Sequence, residues 1–246
     1  MLSFVIPAHD EEGELPATLA ALRAAVDAVA LEHEIVVVDD ACTDGTARVA
    51  REAGARVVTI DRRQISAARN AGAAAARGER LCFVDADTRI DAALLRAVIE
   101  ALDAGAVGGG SRVRFDEPTP RWARIVVPVL LRGYQFLRLA AGCLVFARRA
   151  DFEAVGGFDE TVYAGEEALF SRKLGRRGRF VILSEPVLTS GRKLRTHTAL
   201  ELLGTMLRLS LLGTYGVRRR KGLDIWYAPR RADPARANPD AEEGRP

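Results

Sequence analysis

Residues 80–88 read RLCFVDADT: four apolar side chains, Leu81 to Val84, followed by two aspartates that flank Ala86. The run is short, begins just after Gly78 and leads into Ala92–Ala104, where apolar residues recur at helical spacing. This is the signature of a buried strand feeding a helix. Working outward, the same unit occurs three times upstream. Strands are expected at Leu2–Ala8, Glu34–Asp40, Ala55–Ile60 and Arg80–Asp85, and helices around Leu15–Val29, Thr46–Ala53, Ser66–Ala76 and Ala92–Ala104. Four βα units in succession predict an α/β chain with a Rossmann-like, mostly parallel sheet flanked by helices.

In such sheets ligands collect at the carboxyl ends of the strands. Three of those ends carry acids: His9, Asp10 and Glu11 after the first, Asp39 and Asp40 closing the second, Asp85 and Asp87 closing the fourth. Clustered carboxylates repel unless a cation or hydrogen-bond donors compensate them. If residues 85–87 are extended, Asp85 and Asp87 point the same way and can approach one hard cation such as Mg²⁺ or Mn²⁺, which would bridge a diphosphate. The structural alternative is that Asp87 or Thr88 caps the following helix.

The chain has 246 residues, 48% hydrophobic and 28% charged, enough for one large domain. A net charge of +3 lacks the basic field of a nucleic-acid binder. Cys42, Cys82 and Cys143 are widely spaced and form no CxxC pair, and LSFVIPA carries neither a basic start nor a cleavage site. Together these predict a reduced, cytoplasmic protein without a secretory signal. Arg132 and Arg138 interrupt one apolar stretch, and Glu201 and Arg208 another, so no membrane span is expected.

From Ala106 to Arg149 a Gly-rich strand (AVGGGSRVRF), an apolar stretch with prolines and a second strand (GCLVFARR) suggest a sheet that continues with mixed direction. Ala199–Leu212 reads as an apolar helix followed by Arg218, Arg219, Arg220 and Lys221. That pairing fits peripheral contact with the inner face of the plasma membrane, or a helix buried in the domain or in a homodimer. The tail from Arg230 lacks large apolar residues and is expected to be disordered.

Four segments in order, FVIPAHDEEGEL, VVVDDACTDGT, SAARNAGAAAARGERLCFVDADT and GGFDETVYAGEEALFSRKL, resemble family 2 of the inverting glycosyltransferases with the GT-A fold, over about Leu2–Leu183. The resemblance implies a single GT-A domain at 1–217. Its nucleotide-sugar half would be 1–105, its acceptor half and C-terminal helix 106–217, and a basic segment and tail would follow at 218–246. It further implies that Pro7, Ala8, His9, Glu11, Asp40, Arg69, Asp85 and Ala86 bind a UDP- or GDP-sugar, and that Asp85 and Asp87 hold Mn²⁺ or Mg²⁺. Asp40 would accept a nucleobase N–H, and Arg69 would meet phosphate or base. Glu167, with Glu166 as fallback, would be the general base that deprotonates an acceptor hydroxyl, on a lipid-linked or cell-envelope glycan acceptor. Gly157 and Phe158 would shape the acceptor side, with the aromatic ring against a sugar face. His197 is a candidate third metal ligand, and Arg192, Lys193 and Arg195 are candidates to neutralise diphosphate. His9, Asp10 and Glu167 depart from the family's usual aromatic, Asn and Asp.

Three rivals share parts of this pattern. A haloacid-dehalogenase-type phosphatase also places Asp-x-Asp-Thr after an apolar strand and predicts an aspartyl-phosphate at Asp85, but that motif ends the first strand of its fold. A sugar nucleotidyltransferase would open with a glycine-rich phosphate loop, which VIPAHDEEGEL lacks. A non-catalytic nucleotide-sugar-binding protein would keep the pocket without turnover.

Overall fold

A computed structural model describes residues 1–205, 217–220, 222–227 and 233. Its elements in chain order are β1 (Leu2–Ala8), α1 (Leu15–Val29), β2 (His33–Asp40), α2 (Thr46–Glu52), β3 (Arg56–Ile60), α3 (Ile65–Ala75) and β4 (Arg80–Val84). Next come β5 (Thr88–Arg89), α4 (Ala92–Asp103), β6 (Gly108–Phe115), α5 (Arg121–Phe136), β7 (Leu144–Arg148) and α6 (Arg149–Ala154). The chain continues through α7 (Glu166–Gly175), β8 (Phe180–Thr189), α8 (Arg192–Thr196) and α9 (Asp224–Tyr227). Residues 199–205 are also helical.

One eight-stranded sheet has the order β3-β2-β1-β4-β7-β6-β8-β5. The first four strands are parallel; β7 runs antiparallel to both β4 and β6, and β8 is parallel to β6. Because the sheet crosses residue 105 without a break, the two expected halves form a single α/β domain. β1 is buried along its whole length, as a parallel strand covered on both faces must be. Its alternate residues serve opposite layers. Phe4 and Ile6 pack with Leu15, Leu19, Leu94 and Val98 of α1 and α4, whereas Val5 packs with Ala68 of α3 and with Phe158 and Phe170. The Asp91 side chain caps α4 by accepting from Leu94 N at 2.8 Å.

The first half of β6 runs as three glycines because backbone approaches closely on both sides. A Cβ on Gly108 would lie 2.5 Å from the Phe146 carbonyl oxygen, and one on Gly109 would lie 2.4 Å from that of Val181. The order 3-2-1-4 reverses direction between β1 and β4, so the switch-point crevice opens over Ala8 and Asp85.

One expectation is corrected. β4 ends at Val84, and residues 85–88 form a turn closed by Thr88 N donating to Asp85 O at 3.0 Å, so the two aspartates project from a turn and not from an extended strand. The apolar stretch with prolines, for which the sequence pattern assigned no element, is the helix α5, which accommodates Pro128. The expected helix Ala199–Leu212 is described only as far as 205, and the expected disordered tail lies outside the described residues except for Asp233.

Candidate active site

A cleft of about 840 Å³ opens at the switch point, a volume suited to a small-molecule ligand. It is lined by the ends of β1 and β4, by the loop before α3, by the start of α7 and by α8. Pro7, Ala8, His9, Glu11, Asp40, Arg69, Asp85, Ala86, Asp87, Glu166, Glu167 and His197 all border it, so the fold gathers acids that are scattered over the sequence.

Arg69 organises them. It projects from α3, is fully buried, and donates from Nη1 to Glu166 Oε1 at 2.8 Å and from Nη2 to Asp85 Oδ1 at 3.0 Å and to the Gly142 carbonyl at 2.7 Å. Its guanidinium also lies 5.1 Å from the centroid of the Phe158 ring. The expected role of Arg69 as a phosphate or base contact is therefore redirected: both terminal nitrogens are committed to protein acceptors, and the residue positions two acids.

Phe158 is corrected for a related reason. It is 2% exposed and stacks on Phe170 at 4.3 Å and against Phe83 at 5.0 Å, so no sugar reaches its face. Gly157 does not border the cleft either. Its φ of +65° and the approach of Asn70 Oδ1, 2.7 Å from where a Cβ would sit, make it a turn residue under the loop. Asn70 pins that loop in both directions, accepting from Phe158 N and donating to Phe158 O, each at 2.9 Å.

Asp40 is buried, and its carboxylate accepts the backbone N–H groups of Arg62, Arg63 and Gln64, each at 2.7 Å. It therefore shapes the loop that edges the cleft. His9 Nδ1 lies 2.7 Å from the Asp40 carbonyl, and its Nε2 lies 3.6 Å from Asp10 Oδ2. Asp10, at φ +52°, accepts from Thr43 N at 2.6 Å. The opening motif is thus tied to the second strand's exit loop.

Ala86 is held by Thr18, whose hydroxyl donates to the Ala86 carbonyl at 2.8 Å, and this fixes the turn that presents Asp85 and Asp87. Burial pushes the Asp85 carboxyl above its ordinary range, with Arg69 opposing and Asp87 adding to the shift. Arg192 of α8 lies 3.8 Å from Asp87 and 3.5 Å from Glu11. Two hard carboxylates on one turn suit Mg²⁺ or Mn²⁺, which commonly complete their shells with water and substrate phosphate. His197 does not complete a three-residue set with them. Among the described residues, the group whose ligand atoms converge within 4.8 Å is His9, Asp10 and Cys42, while His197 Nδ1 lies 3.1 Å from Thr196 Oγ1.

Glu166 and Glu167 open α7 and differ in surroundings. Glu166 is buried on Arg69, whereas Glu167 is partly exposed to the cleft; burial first and the Glu166 carboxylate second push its carboxyl up to about 8. Of the basic residues expected near diphosphate, Arg192 and Lys193 border the cleft. Arg195 instead pairs with Asp116 at 2.6 Å and Asp233 at 2.7 Å. Arg220, expected in a membrane-facing basic cluster, donates to the carbonyls of Arg62 and Arg63 and lies over the rings of Tyr163 and Tyr227. Gln64, Tyr163 and Tyr227 border the cleft without any sequence signal, because tertiary contacts bring them there.

A mostly parallel sheet with an Asp-x-Asp turn at its switch point, facing an acidic pair on a later helix, defines a GT-A glycosyltransferase domain. The sequence profile of glycosyl transferase family 2 matches residues 3–159, and the chain belongs to that family. An uncharacterised glycosyltransferase of Mycobacterium tuberculosis is 39% identical over 105 residues, covering 43% of this chain and 45% of the relative. An undecaprenyl-phosphate 4-deoxy-4-formamido-L-arabinose transferase of Aeromonas hydrophila is 31% identical over 125 residues, 47% of this chain and 38% of the relative. The matches thus span less than half the length of these curated relatives. Among solved structures, a mannosyltransferase from Pyrobaculum calidifontis in complex with GDP-Man and Mn²⁺ superposes with a TM-score of 0.66 at 19% identity, over 86% of this chain and 61% of that one. Family and fold together set aside the phosphatase reading.

Proposed function

We propose that this chain transfers a sugar, with inversion, from a UDP- or GDP-sugar to an acceptor hydroxyl, and that Asp85 and Asp87 hold Mn²⁺ or Mg²⁺ at the donor diphosphate. The observation that carries this reading is the sharing of one cleft by the Asp85–Asp87 turn and the acidic pair of α7. The cation, when bound, supplies positive charge to the leaving diphosphate. Arg192 and Lys193 add to that field from α8. Glu167 takes the proton from the acceptor hydroxyl as its oxygen bonds to the anomeric carbon and the bond to the diphosphate breaks, releasing nucleoside diphosphate. Glu166 stays ion-paired and, with Arg69, sets the position of its neighbour.

The test incubates the protein with UDP- and GDP-sugars, with and without Mn²⁺ or Mg²⁺, and follows thermal shift and nucleotide release. One nucleotide class should stabilise wild type in a metal-dependent way. Asp87→Ala should lose both stabilisation and release, and Glu167→Gln should lose release alone. Binding without turnover in wild type would instead identify a non-catalytic nucleotide-sugar-binding protein.

A further inference from the structure

α5 is an apolar helix that the domain scarcely uses. Ala123 is its one fully buried residue, while Ile125 is 73% and Phe136 88% exposed. Ile125, Val129 and Phe136 follow helical spacing along one solvent face, and Leu130 and Leu137 are exposed about a third of a turn away from it. Exposed Arg121 and Arg132 lie on this same stripe, Arg124 stands beside it, Arg138 follows it, and no Asp or Glu occurs between Glu117 and Asp151. Arg124 reaches back to Glu117 at 3.5 Å.

The helix ends at the cleft. Immediately after it, Ala140 N donates to Ser171 Oγ at 3.1 Å, and Ser171 Oγ donates to the Glu167 carbonyl at 2.7 Å, which stitches the exit of α5 to α7. Gly142 and Cys143 then border the cleft. The Glu167 and Glu166 carboxylates, after burial, raise the Tyr134 phenol, in keeping with a position beside them. Elsewhere along the rim, the 199–205 helix contributes Glu201 and Thr205 to the cleft lining and exposes Leu200 at 84%.

We propose that α5, with the 199–205 helix, is a docking face for an anionic lipid bilayer that delivers a membrane-borne acceptor to Glu167. On α5, apolar side chains among cations with no acid along the helix match the interface of a negatively charged membrane, and the 199–205 helix adds exposed Leu200. A second copy fits less well, since a two-fold contact through this face would bring arginine against arginine. No helix among the described residues is long and apolar enough to cross a membrane. Delivery of an acceptor rests on the proposed sugar transfer; docking does not.

The experiment is vesicle flotation with phosphatidylcholine alone or mixed with phosphatidylglycerol, at low and high salt. Wild type should partition to the anionic vesicles and lose partitioning at high salt. Ile125→Glu with Phe136→Glu should weaken it at least about tenfold, and Arg121→Ala with Arg132→Ala should remove its salt-sensitive part. Both variants should keep the wild-type melting profile and nucleotide-sugar stabilisation. Docking is overturned if wild type ignores anionic vesicles, if the variants partition like wild type, or if sedimentation shows a dimer that the apolar substitutions dissociate. Partitioning without stabilisation by any nucleotide-sugar leaves the docking face standing and removes the transfer reading.

Discussion

Glu167 and Arg69 carry the sharpest consequences at the scale of single residues. A base must be ionised to act, and burial and the Glu166 carboxylate hold the Glu167 carboxyl above the ordinary carboxylate range, so kcat/KM should keep rising with pH beyond that range before it flattens. Glu167→Gln should lower turnover by roughly 10²–10⁴-fold with nucleotide binding retained, measured by nucleotide release at saturating donor. The same shift affects folding. A carboxyl raised in the folded state binds its proton more tightly there, so its contribution is favourable below about 4.5 and is lost as pH rises through about 8. Glu167→Gln should therefore melt above wild type at pH 8, with the gap closing at pH 5, each kcal/mol being worth about 2–4 °C. Arg69→Met removes the shared partner of two acids and should cost about 3–5 kcal/mol in denaturant unfolding. Sequence resemblance led to Arg69 but not to its role, because whether an arginine faces ligand or core depends on contacts with Glu166 and Gly142, far along the chain.

At the scale of elements, legibility followed burial. β1, β2 and β4 are buried over most of their length and carry mainly apolar runs, so their limits lie within a residue or so of those the sequence predicts. β8 is only partly buried or exposed from Val181 through Pro186, and β5 has two residues; neither leaves a comparable pattern. α5 buries almost nothing in the domain, so its apolar content signalled no packing partner. The acid at the end of β2 was legible as a site residue, whereas its hold on the loop before α3 was not. That hold is testable: Asp40→Asn cannot accept three N–H groups equally, and the loop should open. Limited trypsin digestion should then cut at Arg62 and Arg63 faster than in wild type, with the melting temperature lowered.

Across the whole molecule, β4 pairs with β1 on one side and with β7, from the second half of the chain, on the other. A fragment of residues 1–105 would expose that edge and much of the Phe83 layer, and it should lack a cooperative thermal transition by circular dichroism. Arg69 has one further consequence, which concerns inheritance. It belongs to the segment before residue 105, yet it is neutralised in part by Glu166, from the segment after it. A recombination event that joined this first segment to a foreign second one would leave Arg69 with Asp85 alone and its other terminal nitrogen buried without an acceptor, unless the newcomer carried an acid in the place of Glu166. Descendants of such a chain could gain new acceptors readily by changing side chains around the cleft rim, but exchange of whole segments would be confined to lineages that already share this lock.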